Sequence, residues 1–340
     1  MGRAKDLDPV TRQFCTYFDK RYLVRALALY LSLRKHCASF TLSALCLDAE
    51  THTILADMGL PGMQLIALEE LERDDPALLD VKSSRKRLDY YFTLTPALAL
   101  MLLSRSSAGD VVTYLDADLY FFRDPEPLFS ELEGHSVGII AHRFPRDLEH
   151  LARKFGMFNV AWVSFRNDEE GDVCARWWRE QCLTWCHEKR AENRFADQKY
   201  LDDWPQRFSN VRVIQHKGAN LAPWNLRNYD LTRTSEGACV DGEPLLFFHF
   251  HRFQRVAPFL YDTNLWLYGA KALPIVRREI FNPYIEAVAA ARRLLGDRLE
   301  EVDLDLGLRN DQGFAALLYR SYVAFRKIFN GDYIFSRPIW

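Results

Sequence analysis

The run Val111-Val112-Thr113-Tyr114-Leu115 is apolar, β-branched and aromatic, of strand length, and it leads straight into Asp116-Ala117-Asp118. A second apolar run, Leu119-Tyr120-Phe121-Phe122, follows at once. A carboxylate is costly to bury unless it is paired or bound to a cation, so a buried strand ending in two of them needs a partner. Hard divalent metals supply one, because oxygen ligands suit Mg²⁺ and Mn²⁺. The same Asp-x-Asp spacing recurs at Asp6/Asp8 and Asp303/Asp305, but in polar surroundings near the termini, where solvated loops are the simplest reading.

Strands and helices alternate around the central pair. Gln13–Phe18 reads as a first strand and Tyr22–His36 as a helix, with Leu23, Ala26, Leu27, Tyr30 and Leu31 at helical spacing. Thr41–Leu47 is a second strand, Thr51–Met58 a helix closed by Gly59, and Met63–Leu68 a third strand. A longer helical region, Ser83–Ser104, opens on Arg85, Lys86 and Arg87 and feeds the Asp116/Asp118 strand. Val137–Ala141, Phe158–Phe165, Val211–Ile214 and Leu245–Phe250 read as strands, and Val173–His187 as a helix bulked by tryptophans. From about Ala270 the pattern turns helical, over Ile275–Leu295 and Phe314–Phe329. The alternation predicts an α/β fold with a mostly parallel sheet flanked by helices. Residues 1–269 are expected to form the main domain and 270–340 a C-terminal helical extension.

Bulk properties narrow the classes. A net charge of −2 gives no electrostatic case for nucleic acid as a partner. The polar N-terminus Met1–Arg12 has no apolar signal region, and the longest apolar stretch, Leu94–Leu103, is too short to span a bilayer. Seven cysteines, an odd number without a framework, point to a reducing compartment and a cytoplasmic location.

Six landmarks in order along the chain carry a resemblance. They are Thr16-Tyr17-Phe18-Asp19-Lys20-Arg21-Tyr22-Leu23, Tyr114-Leu115-Asp116-Ala117-Asp118, Phe158-Asn159-Val160-Ala161-Trp162-Val163-Ser164-Phe165, Asp197-Gln198-Lys199, the Asn220–Asn225 segment and Phe247-Phe248-His249-Phe250. Together they resemble glycosyltransferases of the GT-A fold, similar to retaining bacterial enzymes of the family-8 type. The resemblance implies transfer of a sugar from a nucleotide-diphosphate sugar, with UDP as the favoured nucleotide, to a saccharide or lipid-linked acceptor. It implies that Asp116 and Asp118 hold a metal with His249 as third ligand, and that Asp116 also meets the donor. Asn159 would face the donor sugar, while Asp197 and Gln198 would lie beside the anomeric carbon and the acceptor.

The residue chemistry agrees with that implication. A divalent metal offsets charge growing on a departing diphosphate, worth several kcal/mol by order of magnitude. Two Asp and one His tilt the choice from Mg²⁺ towards Mn²⁺. His251, on the same strand face, and His216, before a Pro-Trp, compete with His249, which leads because it alone follows an apolar run. After His249 the chain lacks the family's Gly and Lys, leaving Arg252 or Lys217 for a phosphate contact.

Tyr17 and Asp19 stand where open α/β sheets bind ligands, at a strand's carboxyl end, for base and ribose; Tyr17 reads equally as a core aromatic. Arg85 and Arg87 are candidates to clamp phosphate, against a solvated helix face. Asp197 can receive the acceptor's proton, cap a helix, or both, and the Gln198 amide can steady the donor face. Cys174, Cys182, Cys186 and His187 invite a zinc reading, but buried thiols beside tryptophans fit their spacing better. The basic, aromatic segment 314–329 suits a membrane surface, its own domain, or a second subunit of a homo-oligomer.

Two rivals stand beside the transferase. A phosphatase of the haloacid dehalogenase type also places Asp-x-Asp after a strand, but near the N-terminus and usually with Thr or Val where this chain has Tyr120. A non-catalytic sugar-binding protein would tolerate loss of the carboxylates, yet Asp116, Asp118, Asp197 and Gln198 are all present.

Overall fold

The computed structural model describes residues 10–189, 191, 193–298 and 323–335. Its first half alternates β1 (Arg12–Phe18), α1 (Leu23–His36), β2 (Phe40–Cys46), α2 (Ala49–Met58), β3 (Met63–Ala67), α3 (Leu68–Asp74), α4 (Ala77–Lys82), α5 (Arg87–Arg105) and β4 (Val111–Leu115). There follow β5 (Leu119–Phe121), α6 (Glu126–Glu131), β6 (Val137–Ala141), α7 (Glu149–Phe155), β7 (Phe158–Arg166), α8 (Glu169–Thr184), α9 (Trp204–Arg207) and β8 (Val211–Ile214). Seven strands form one sheet in the order β3-β2-β1-β4-β7-β6-β8. All run parallel except β7, which lies antiparallel between β4 and β6. This is the mostly parallel sheet that the alternation predicts.

Local chemistry sets the element ends. Asp48 accepts the Thr51 N–H at 2.7 Å to open α2, and Gly59 closes it in the left-handed conformation that glycine adopts freely. Asp168 likewise caps α8 through the Gly171 N–H at 2.8 Å. That helix starts at Glu169, earlier than its apolar pattern reveals, because the first turn is acidic. The helical region expected from Ser83 is divided: Ser83 ends α4, Lys86 is extended, and α5 starts at Arg87.

The late apolar stretch leaves the large sheet. After the hairpin strands β9 (Leu231–Thr234) and β10 (Gly237–Val240) and the short β11 (Glu243–Pro244), β12 (Phe247–His249) pairs antiparallel with β5. Its register sets Phe247 against Phe121, Phe248 against Tyr120 and His249 against Leu119. Strand alternation then sorts the faces. Leu119, Phe121 and Phe247 pack with Phe14 and Trp162 of the large sheet, while Tyr120 and Phe248 face Phe281 and Tyr284. Trp162 is the pivot: its ring stacks on Phe247 at 5.8 Å and meets Phe14, Phe121 and Phe129 edge-on.

The chain beyond 270 is helical over α10 (Pro274–Val276) and α11 (Asn282–Leu295), joined by a π turn at Arg277–Phe281. Tyr284 stacks on Phe250 at 3.6 Å, so this region shares a core with the β5–β12 pair. Residues 323–330 are helical, and Lys327 bonds Asp262 and Asn264. Beyond them the small sheet β13 (Gln254–Ala257), β14 (Leu260–Asp262) and β15 (Tyr333–Phe335) closes. The rest of the expected 314–329 helix, with the pairs Asp6/Asp8 and Asp303/Asp305, lies outside the described residues. Among the described residues no helix is long and apolar enough to cross a membrane.

Trp162 is 1% exposed, so Trp162→Ala leaves a cavity at the junction of both sheets. The expected loss is about 3–5 kcal/mol of unfolding free energy, read from urea denaturation. A loss below about 1 kcal/mol would show that the junction does not depend on this ring.

Candidate functional site

Asp116 and Asp118 occupy the turn that carries the chain from β4 into β5. The Asp116 N–H donates to Ala161 O on β7 at 3.3 Å, and the Leu119 N–H donates back to Asp116 O at 3.2 Å. The Phe250 N–H reaches Asp118 O at 2.9 Å, which seats the end of β12 beside the turn. His249 Nε2 thereby comes within 3.0 Å of Asp118 Oδ1 and 3.7 Å of Asp116 Oδ2. One ligand atom from each of the three residues falls within 4.8 Å of the others. Two carboxylate oxygens and one imidazole nitrogen, held this close, fit a single small divalent cation.

Without a cation the charges lean on one another. Burial pushes Asp118 upward, but His249 beside it outweighs that and holds the carboxyl below its usual range. Asp116 moves the other way, raised by burial and by Asp118 against the pull of His249. Its side chain keeps 29% exposure, so water moderates that rise. Burial lowers His249, yet the two carboxylates overcome it and raise its affinity for a proton.

Of the three histidines weighed from sequence, the structure brings His249 to the carboxylates. His251 lies 5.5 Å from the Trp224 ring, and burial with the nearby His249 charge lowers it to about 4. His216 Nδ1 accepts the Gly218 N–H at 3.1 Å and stands 3.4 Å from Glu243. Lys217 pairs with Asp241 at 3.0 Å. The asparagines of the 220–225 loop are spent on backbone: Asn225 Nδ2 donates to His142 O and Asn220 O, both at 2.9 Å. They close the loop under Trp224, whose ring meets His249 edge-on at 5.2 Å.

A second wall faces Asp116. Asp197 is 4% exposed at the start of the 3₁₀ helix Gln198–Asp203, with its backbone carbonyl held by Trp178 Nε1 at 2.8 Å. Burial, helped by the Asp116 charge, pushes its carboxyl up to about 7 despite the Thr95 hydroxyl. Thr95 Oγ1 also lies within hydrogen-bond reach of Tyr17 Oη at 3.3 Å, and the Tyr17 ring lies 5.7 Å from Tyr114. Tyr114 Oη reaches Asp116 Oδ1 at 3.1 Å. Tyr17, Thr95, Tyr114, Asp116 and Asp197 are thus linked in one chain of contacts. A helix-interior Thr and a strand Tyr carry no local sign of function, so the roles of Thr95 and Tyr114 are not legible in the sequence.

Asn159 lies at the bulge where β7 shifts register against β6. Its Oδ1 faces His249 Nδ1 at 3.2 Å, and its Nδ2 reaches Gln198 Oε1 at 3.0 Å and His142 Nε2 at 3.2 Å. Other candidates have partners outside this cluster. Asp19 accepts the Arg21 N–H at 3.0 Å. The Arg85 guanidinium donates to Thr93 Oγ1 and to the Leu183 carbonyl, tying α5 to the end of α8. Arg87 is exposed with its guanidinium 6.0 Å from the Tyr91 ring centre. Cys174, Cys182 and Cys186 are buried free thiols, and burial raises Cys174 and Cys182.

The fold has the GT-A architecture: a mostly parallel α/β sheet with an acidic turn at the carboxyl end of a central strand. Among solved structures, the galactosyltransferase LgtC, determined with donor and acceptor sugar analogs, matches it with a TM-score of 0.51 at 15% identity. That match covers 82% of this chain and 95% of LgtC, and it speaks for the fold. No family model matches the sequence. Two uncharacterized proteins of Bacillus subtilis strain 168 do: YfnF, 32% identical over 256 residues, and YfnD, 31% identical over 279. The matches cover 73% and 81% of this chain, and 84% and 88% of the two relatives. The chain belongs to the family of YfnF and YfnD.

Asp197 gives the site a pH signature. Its raised folded pKa means the folded protein binds the proton more tightly than the unfolded chain, so stability falls as pH rises from about 4 to about 7. Asp197→Asn removes that loss. In metal-free buffer its stability advantage over the native protein is expected to grow from near zero at pH 4 to on the order of 4 kcal/mol at pH 8. An advantage that does not vary with pH would show that Asp197 titrates normally.

Proposed function

We propose that the protein is a metal-dependent glycosyltransferase that takes a sugar from a nucleotide-diphosphate donor, a UDP-sugar as first choice, and passes it to a saccharide or lipid-linked acceptor with retention. The observation that carries this reading is the convergence of Asp116, Asp118 and His249 on one point at the carboxyl end of β4. Mn²⁺, or Mg²⁺, is the metal we assign to it. When bound, such a cation supplies Lewis-acid stabilisation for the leaving diphosphate.

The chain's own residues divide the remaining work. Tyr17 and Asp19, at the end of β1, are assigned to base and ribose, at the strand ends where open α/β sheets take their ligands. Arg85 and Arg87 are assigned to the phosphate side. Tyr17, Tyr114 and Trp224 shield the acidic turn in part from water, which strengthens the charge interactions there. Asp197 faces the same space with a proton affinity poised near neutrality, suited to receive the acceptor's hydroxyl proton. Gln198 and Asn159 adjoin it on the side of His249. In this reading residues 1–269 hold the donor and acceptor sides, and the 314–329 segment of the 270–340 extension meets the inner face of the membrane.

Calorimetric titration with UDP and GDP, with and without Mn²⁺, tests the donor site. UDP is expected to bind only with metal, and Asp118→Ala to weaken that binding at least 100-fold. Binding of neither nucleotide in the presence of metal would defeat the reading.

A lipid-linked acceptor is supported by Phe325, Ile328 and Phe329, which lie 58%, 64% and 74% exposed on residues 323–330. Sedimentation with anionic vesicles is expected, reduced severalfold by Phe329→Ser. Indifference to that substitution would send the acceptor assignment back to soluble saccharides.

A further inference from the structure

We infer that Gln198 and Asn159 form a hydrogen-bond relay that decides which nitrogen of His249 is offered to the cation. Both are then positioning residues for the metal site; the inference rests on the metal-centre reading above.

Two backbone groups beside Gln198 have fixed roles. The Phe155 carbonyl can only accept a hydrogen bond, and the Val160 N–H can only donate one. Gln198 lies between them, with its side-chain nitrogen 2.9 Å from Phe155 O and its oxygen 3.3 Å from Val160 N. A flipped amide would set oxygen against oxygen and N–H against N–H, so Gln198 has one workable orientation.

That orientation propagates. Gln198 Oε1 is an acceptor 3.0 Å from Asn159, which must therefore turn its NH₂ group that way. The same NH₂ meets His142 Nε2 at 3.2 Å. Asn159 Oδ1 is left facing His249 Nδ1 at 3.2 Å, and a carbonyl oxygen there requires Nδ1 to carry a proton. A neutral His249 ring held this way keeps its lone pair on Nε2. Nε2 is the nitrogen that faces Asp118 and Asp116, at 3.0 and 3.7 Å.

Reversing Asn159 would undo the arrangement. Its NH₂ group would then face Nδ1, demand the lone pair there, and leave an Nε2–H aimed at the cation. Asn159 and His249 are both buried, 5% and 4% exposed, so water offers little substitute. The bulge in β7 is what brings the Asn159 side chain to this crossing point. Partners of this kind behind a metal-binding histidine typically matter by about 10–100-fold in metal affinity. Gln198, adjacent to Asp197, thereby acts on the metal site through Asn159, whatever else it meets on the donor side.

The test uses the full chain stripped of metal and titrated with Mn²⁺ alone, followed by electron paramagnetic resonance. The native protein, Asn159→Ala, Gln198→Ala and the double variant are compared, with thermal melts to confirm folding. Asn159→Ala is expected to weaken Mn²⁺ binding about 10–100-fold and Gln198→Ala about 10-fold. The double variant is expected to be no weaker than Asn159→Ala, because both changes cut one relay. Native-like binding by Gln198→Ala, or fully additive losses, would overturn the relay while leaving the metal centre intact. A native protein that binds no Mn²⁺ removes the metal centre and the relay with it. Should the variants not fold, ¹⁵N spectra of the native His249 ring with Mg²⁺ decide: a proton on Nδ1 and none on Nε2 is expected, and the opposite pattern sinks the relay.

Discussion

Everything at the site depends on two short strands that find each other across most of the chain. β5 follows directly from the acidic turn, and β12 ends in His249, so their antiparallel register delivers Asp118 and His249 to the same place. A slip of one residue would turn His249 to the opposite face, against Phe281 and Tyr284, because side chains alternate along a strand. The register is secured from both sides. Phe121 and Phe247 are gripped by Trp162, and Tyr120 and Phe248 by the C-terminal helices. The aromatic residues that could have served as stacking surfaces are, in large part, the clamp on this ladder.

That clamp offsets a cost. Asp116, Asp118 and Asp197 bring three carboxyls into one largely buried space, with His249 as the counter-charge to the first two. Burial and mutual repulsion raise Asp116 and Asp197, so the folded state tolerates charge that the unfolded chain would solvate freely. Proteins commonly accept such a deficit where function needs it. Here the surrounding aromatic packing supplies compensating burial and also excludes water. Stability and chemistry draw on the same residues for opposite purposes.

Legibility varied with how local each signal was. The Asp116/Asp118 turn could be read because an apolar strand runs into it and another leaves it, so burial was implied by adjacency alone. The alternation of β1 to β4 with helices was legible for the same reason. The charge of Arg85 is legible in the sequence, but its bonds to Thr93 and Leu183 are not, since they depend on where α8 ends. The Leu245–Phe250 stretch was legible as a strand and its partner was not, since an apolar run fits a central sheet or a two-stranded ladder equally well. Trp224 and Tyr114 fall inside landmark runs without any sign of a role, and Thr95 carries no local mark; only the fold turns them towards His249, Asp116 and Asp197.

The sequence by itself determined the class of fold, the acidic turn and a short list of histidines, because periodicity and flanking burial are properties of neighbours along the chain. It left three histidines open, and it was silent on how the Asn159 amide is turned. Those matters belonged to the tertiary structure. Which histidine meets the carboxylates depends on the β5–β12 register, and which nitrogen it presents depends on a carbonyl at Phe155 and an N–H at Val160. Such bonds are settled by what remains unpaired after the chain has packed, and unpaired groups exist only once there is an interior.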